Sequence, residues 1–255
     1  MRPDGAPDSY AGPLRRTLTP ELAGAARAGY DPSMTSATEP ARRIFAIGDI
    51  HGRRSQLAAL LGRLTALDQD ALLVFLGDYI DRGGQSRQVV DELLALRAKR
   101  PDTVFLMGNH EAALMRFAAS CSPDDLREMR ALGFQATLDS YGVSPGACGI
   151  GFMPPEHRDF FANLTRWHRA GRFVFCHSPI ACGVNPDEAD EFALDGLLSN
   201  RRIEAAGWAD SGQTLIFGHV PLESPLVAPG LIGVDTGAGR VLTAVELPDV
   251  RFHHA

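Results

Sequence analysis

Three short apolar runs each end in a glycine followed by a side chain able to bind a metal ion. Arg43 to Gly48 leads into Asp49, Leu72 to Leu76 into Gly77-Asp78, and Thr103 to Met107 into Gly108-Asn109. Between them lie two stretches with apolar residues at helical spacing: Arg54 to Leu67, through Leu57, Leu60, Leu61 and Leu64, and Ser86 to Lys99, through Val89, Val90, Leu93, Leu94 and Leu96. The alternation is βαβαβ. Parallel strands joined by crossover helices are buried on both faces, so their residues are continuously apolar instead of alternating. Ligands of such sheets collect beyond the carboxyl ends of the strands, and three polar clusters are therefore predicted at one rim.

Residues 1–40 carry Pro3, Pro7, Pro13, Pro20, Pro32 and Pro40 and no sustained apolar period; they read as a loosely ordered tail with a short helix at Glu21 to Ala28. The domain is expected to span 41–255. Glu111 to Ala170 reads as mostly helical, broken by Pro123, Gly133, Gly142, Pro145, Gly149 and Pro154-Pro155. Apolar runs at Arg172 to Cys176, Thr214 to Phe217, Leu231 to Val234 and Arg240 to Glu246 predict a return to strands. A chain of 255 residues with a net charge of -6 has no general attraction for nucleic acid or anionic membranes. No apolar run approaches the roughly 18 residues of a membrane span, and a cytoplasmic location is expected. Cys121, Cys148, Cys176 and Cys182 have neither C-x-x-C spacing nor the density of a disulfide framework, so reduced thiols are expected, with Cys176 a small core residue.

The chemistry concentrates in Gly48-Asp49-Ile50-His51-Gly52, Gly77-Asp78-Tyr79-Ile80-Asp81-Arg82-Gly83 and Gly108-Asn109-His110-Glu111, followed by Cys176-His177-Ser178 and Gly218-His219-Val220. This mixed oxygen and nitrogen set suits first-row ions such as Mn, Fe or Zn. Two ions about 3.5–4 Å apart lower the pKa of a bridging water and clamp phosphoryl oxygens during in-line attack.

The ordered set G-D-x-H-G, G-D-x-x-D-R-G, G-N-H-E, H, G-H resembles the metallophosphoesterase superfamily, and within it the phosphoprotein phosphatase (Ser/Thr phosphatase) family, especially its compact bacterial and phage members. The resemblance covers Arg43 to about Leu247. It implies an α/β, four-layer αββα sandwich of the calcineurin-like fold, with two divalent metals, Mn foremost, between the sheets. Asp49, His51 and Asp78 would hold the first ion; Asp78 would bridge to the second, completed by Asn109, His177 and His219. His110 would be the general acid, oriented by Asp81. Arg82, Asn109 and Arg201 would bind the substrate phosphate, with Arg202 the competitor for the Arg201 role.

The implied activity is a phosphomonoesterase acting on phosphoproteins or phosphopeptides. Symmetrical dinucleoside polyphosphate hydrolases share the metal motifs and give the alternative, and a catalytically silent phospho-binding module is the third reading. No S-A-P-N-Y-type loop follows His219, so inhibitors of the large eukaryotic enzymes are expected not to act. His157, His168, His253 and His254 are expected at the surface and Glu111 in a structural role at the start of a helix. Tyr79 is expected either to pack or to touch substrate. Arg53 and Arg54 read as a solvated helix start, and Asp235-Thr236-Gly237 as a strand-end turn near the site.

Overall fold

Strand β1 (Ile44–Ile47) is buried along its whole length in the computed structural model, which describes residues 42–143, 149–236 and 240–255. It pairs in parallel with β2 (Leu72–Phe75), and β2 with β3 (Val104–Phe105). Helices α1 (Arg54–Leu67) and α2 (Ser86–Lys99) make the crossovers that their leucine and valine spacing predicts. On the far side of β1 lie β9 (Thr243–Leu247) and β10 (Arg251–His254), both antiparallel to their neighbours, so the sheet order is β10-β9-β1-β2-β3.

The second sheet runs β4-β5-β6-β8-β7, from β4 (Trp167–Ala170), β5 (Phe173–Cys176), β6 (Thr214–Phe217), β7 (Leu226–Ala228) and β8 (Leu231–Gly233). Its three central strands, β5, β6 and β8, are parallel. Alternate residues of β1 and β2 face opposite ways. Phe45, Ile47, Leu73 and Phe75 pack with Leu57, Leu60, Leu64, Val89 and Leu93 of the helices. Ile44, Ala46 and Val74 pack with Phe173, Phe175, Ile216 and Ile232 of the second sheet. The outer face of that sheet is covered by Ile203, Trp208 and Leu197 of the short helix α7 (Glu191–Leu198). The result is the expected α/β sandwich, its fourth layer made mostly of irregular chain.

The central part contains α3 (Asn109–Ser120), α4 (Pro123–Leu132), α5 (Phe134–Tyr141) and α6 (Pro155–Ala162). Helix α3 starts two residues before the expected Glu111, because Gly108 takes the N-cap position and the Glu111 side chain accepts from its N–H. The stretch read as helical up to Ala170 ends instead in β4. Trp167-His168-Arg169-Ala170 lacks an apolar run and is a strand through its pairing with β5, a context that local propensity does not register. The edge strand β10 (Arg251–His254) escaped notice for the same reason, and β7 because Leu226-Val227-Ala228 is too short an apolar run to register.

His157, expected at the surface, is buried: Nδ1 lies 2.6 Å from the Tyr141 hydroxyl and Nε2 2.9 Å from Asp91 Oδ1. It joins α6, α5 and α2. His253 is half-buried edge-on to Phe45, 2.9 Å from Glu246, and His168 is half-buried beside Phe175, whereas His254 is exposed. Cys176 and Cys182 are free thiols, Cys176 in the core as expected; Cys121 is disulfide-bonded, which corrects the expectation for that thiol. Among the described residues no helix is long and apolar enough to cross a membrane. The expected tail and its short helix lie outside the described residues.

Candidate metal centre

Six parallel strands, three from each sheet, converge at their carboxyl ends and each delivers a polar residue to one place. Asp49 follows β1, Asp78 follows β2, and Asn109 follows β3; His177, His219 and Asp235 follow β5, β6 and β8. Five non-glycine residues here adopt left-handed backbone: His51, Asp78, Asp81, Arg82 and His219. Such strain persists only where the surroundings over-determine it. The surroundings include Ile50 and His51 N–H groups donating to Asp78 O at 3.0 and 2.8 Å, and His219 N donating to both Asp49 oxygens at 3.2 Å.

Asp78 divides its carboxylate between the two sheets. Oδ2 lies 3.5 Å from His51 Nε2 and 3.6 Å from His110 Nε2, while Oδ1 lies 3.4 Å from His177 Nε2. Asp49 Oδ2 lies 3.9 Å from His51 Nε2, and Asn109 Oδ1 lies 3.0 Å from His177 Nε2. The groups His51–Asp78–His110 and Asp78–His177–His219 each bring their ligand atoms within 4.8 Å of one another. Asp78 belongs to both, as a bridging ligand must.

The residues fit a pair of cations on two counts. His51 Nε2 and His219 Nε2 are buried without a hydrogen-bond partner, a cost that a native interior accepts only for a purpose. The other ring nitrogen of each proposed histidine ligand is fixed by a backbone carbonyl: His51 Nδ1 lies 3.0 Å from Ile80 O, His177 Nδ1 2.8 Å from Leu76 O, and His219 bonds to the Ser199 backbone. A ring held in this way points an unprotonated nitrogen at the centre. Burial, reinforced by neighbouring cations, pushes His51 well below the ordinary histidine range; burial likewise takes His177 and His219 down to about 4. All three are uncharged imidazoles at neutral pH, each keeping one proton on the nitrogen that faces its carbonyl.

His110 differs in its support. Its Nδ1 donates to a carboxylate, Asp81 Oδ2, at 2.7 Å, and Nε2 lies 3.3 Å from Arg82 Nη2. Burial alone would depress it, but Asp78 and the bond to Asp81 outweigh burial and hold it above the usual range. The carboxylate support and the raised affinity for a proton set this ring apart from the three carbonyl-supported rings.

Glu111 has the expected structural role, by a route other than the helix dipole. Its carboxylate accepts from Gly108 N at 3.0 Å, Asp78 N at 2.9 Å and Tyr79 N at 2.9 Å, tying the end of β2 to the start of α3. Burial and then Asp78 push it up to about 8. Tyr79 packs: it is fully buried and its hydroxyl donates to Leu106 O at 2.7 Å.

Three further residues take roles here that the sequence did not give them. Asp235, read as a strand-end turn near the site, does lie there, as a buried third carboxylate; burial and then Asp235 raise Asp49, and burial and Asp78 push Asp235 itself up to about 6. Arg53, read as solvated, is half-buried at the N-cap position of α1 and makes no side-chain hydrogen bond or ion pair among the described residues; burial and Arg82 lower it. Thr137 of α5 lies 2.6 Å from Asp81 Oδ1. Of the two candidate arginines, Arg201 acts electrostatically on His219 and Asp235, whereas Arg202 is ion-paired to Glu204 at 2.6 Å.

A family model for calcineurin-like phosphoesterases matches residues 42–243. An asymmetrical bis(5'-nucleosyl)-tetraphosphatase, PrpE of Geobacillus sp. (strain WCH70), is 25% identical over 244 residues, covering 82% of this chain and 91% of its own. A symmetrical bis(5'-nucleosyl)-tetraphosphatase of Janthinobacterium sp. (strain Marseille) is 27% identical over 259 residues, covering 80% and 93%. The crystal structure of a protein provisionally described as a diadenosine tetraphosphatase shares the fold with a TM-score of 0.60 at 21% identity, covering 86% of this chain and 95% of that one.

Proposed function

The chain belongs to the calcineurin-like phosphoesterase family, and from that premise we propose that it hydrolyses nucleoside polyphosphates of the dinucleoside tetraphosphate class, using two divalent cations. The observation that carries this reading is the number of arginines at one place: Arg82, Arg53 and Arg201 all act on Asp235, beside the proposed metal ligands. A single transferred phosphoryl group, already facing two cations, does not need three guanidinium groups. A chain of phosphates gives each one a partner. Both tetraphosphatase relatives support the same choice. It places nucleotides ahead of phosphoproteins, reversing the order that the motifs suggested.

In this reading Asp49, His51, Asp78, Asn109, His177 and His219 hold the cations, and Mn is the proposed ion. When bound, the metals polarise phosphoryl oxygens and acidify water. Arg82 and Arg201 orient the phosphate under attack, with the Asn109 amide beside them, and Arg53 receives the next phosphate of the chain. His110 carries the proton that the leaving oxygen takes, and Asp81 keeps Nδ1 protonated and the ring aimed.

The His110–Asp81 pair also favours a second reading. A departing phosphate leaves readily without a proton, whereas the alkoxide of a phosphomonoester does not. An acid built this carefully suits phosphoserine or phosphothreonine peptides. The test is a side-by-side assay of Mn-loaded protein on diadenosine tetraphosphate, phosphopeptides and p-nitrophenyl phosphate. A higher kcat/KM on the dinucleotide supports the first reading, and a higher value on the peptides reverses it. Tight phosphopeptide binding without turnover of anything would leave a silent binding module.

A further inference from the structure

The helical middle of the chain reaches the acid machinery through a residue that none of the motifs contains. Asp81 and Arg82 sit side by side in left-handed backbone, with φ of 71° and 63°. Both are held from the beginning of α5. Arg82 N donates to Gly133 O at 3.3 Å. Asp81 N donates to the hydroxyls of Thr137, at 3.0 Å, and of Ser86, at 3.2 Å.

Thr137 also reaches the Asp81 carboxylate. Its Oγ1 lies 2.6 Å from Oδ1 and 3.1 Å from Ser86 Oγ. A threonine hydroxyl has one proton, and the ionised carboxylate at 2.6 Å is a stronger acceptor than the Ser86 hydroxyl at 3.1 Å, so the proton goes to Asp81 Oδ1. Thr137 thus donates to Asp81 Oδ1, with Ser86 Oγ beside it, and Asp81 Oδ2 accepts from His110 Nδ1 at 2.7 Å. Every member is buried, from 0 to 1% exposed. Helix α5 is itself braced: Ser140 Oγ accepts from Arg87 N at 3.1 Å, and Tyr141 meets buried His157.

We propose that Thr137 is a positioning residue for the general acid His110, acting through Asp81, with Ser86 as its own support. The proposal rests on the reading of His110 as the acid. One hydroxyl fixes which Asp81 oxygen is left for the imidazole and pins the backbone of the residue that carries it. Without that donor, Oδ1 is a buried charged oxygen with no partner, and the carboxylate turns to find one. Oδ2 then leaves Nδ1, and the ring loses its aim.

The experiment compares wild type, T137V, T137S and H110N, all loaded with Mn and checked for metal content, on phenyl phosphate and p-nitrophenyl phosphate. Phenolate is a strongly basic leaving group that needs a proton, whereas nitrophenolate departs without one. A general acid contributes roughly 10²–10⁴-fold, and losing its positioning removes part of that. T137V is expected to lower kcat on phenyl phosphate by about tenfold, with KM unchanged and p-nitrophenyl phosphate within about twofold of wild type. T137S restores the loss. Equal loss on both substrates, no loss on either, or failure of serine to rescue overturns the proposal. If valine is not tolerated, T137A makes the same comparison. Should H110N keep full activity on phenyl phosphate, the acid assignment itself is wrong; if H110N loses it and T137V does not, only the role of Thr137 falls.

Discussion

Replacing Gly108 with alanine adds one methyl group at the most crowded point of the centre. A Cβ there falls 2.2 Å from Asp78 Oδ1, 2.5 Å from Asp78 N and 2.9 Å from Glu111 Oε2. The backbone, with φ of -96°, suits alanine, so the penalty is steric and not conformational. Cβ contacts essentially never fall under 3.0 Å, so the Asp78 oxygen must retreat by ~0.8 Å in a densely packed interior that yields little. That oxygen is the one facing His177 Nε2 at 3.4 Å, the link between the two halves of the centre. Metal–ligand distances tolerate about 0.2 Å, and misplacement of ~1 Å costs about 10²-fold in rate. G108A is therefore expected to lose one of two bound metals, to fall about 100-fold in kcat, and to lose about 1–3 kcal/mol of stability through overpacking. The matched control is Gly62, inside α1 with nothing within 4 Å of an added Cβ. G62A should gain about 0.5–1 kcal/mol and leave turnover alone. Metal content, urea melts and turnover of the two variants are measured together. Full metal content with turnover within about threefold of wild type in G108A would refute the reasoning.

H110N should keep both metals while losing roughly two orders of magnitude in turnover of a phosphomonoester; loss of metal in that variant would mean that a ligand had been taken for an acid. R201A should lower kcat/KM by about 10- to 100-fold, the loss of one charge-assisted hydrogen bond, and R202A should stay near wild type, which kinetics on one phosphorylated substrate can read. Chelator-treated protein should lose stability as the pH rises from about 6.5 to 8. Glu111, at about 8 in the fold against 4.5 for a free glutamate, stabilises while protonated and loses that contribution as pH rises through its folded value; His177 and His219, lowered to about 4, act in the opposite sense and have finished by about 6.5. Urea midpoints across that range check the slope, and a rise would contradict it.

The three strand-end clusters were legible because buried parallel strands write continuous apolar runs, and a glycine followed by a ligand marks where each run meets solvent. Even His110 and Asn109, adjacent in sequence, separate by motif position alone, and the structure distinguishes them further by what holds each side chain. Asp235 was harder to see. Its Asp-Thr-Gly setting is that of a turn, and it joins the centre only because β8 pairs with β6, a contact that no local pattern encodes. Thr137 gave no signal, since one hydroxyl in a helix looks like any other. Arg53 misled by composition: an arginine at the start of a helix normally faces water, yet this N-cap position lies beside Arg82 and Asp235. Edge strands β4 and β10 were missed because half-exposed strands alternate weakly and carry histidines and arginines, residues that read as loop.

The division of ligands between sheets explains why the strained residues are tolerated. The proposed ligands Asp49, His51, Asp78 and Asn109 come from the first sheet, and His177 and His219 from the second, so the spacing of the centre is set by the apolar layer of Phe173, Phe175, Ile216 and Ile232 against Ile44, Ala46 and Val74. That layer is buried and apolar, and such packed interiors resist small displacements. The left-handed turns at His51, Asp78 and His219 then need only redirect side chains across a fixed gap. Asp81 and Arg82 lie outside the reach of that layer, on the turn after β2. They depend instead on Gly133 and Thr137, so the proposed metal ligands answer to the sheets and the proposed acid answers to the helices. Damage to α5 should consequently separate proton delivery from metal binding, whereas damage between the sheets should remove both.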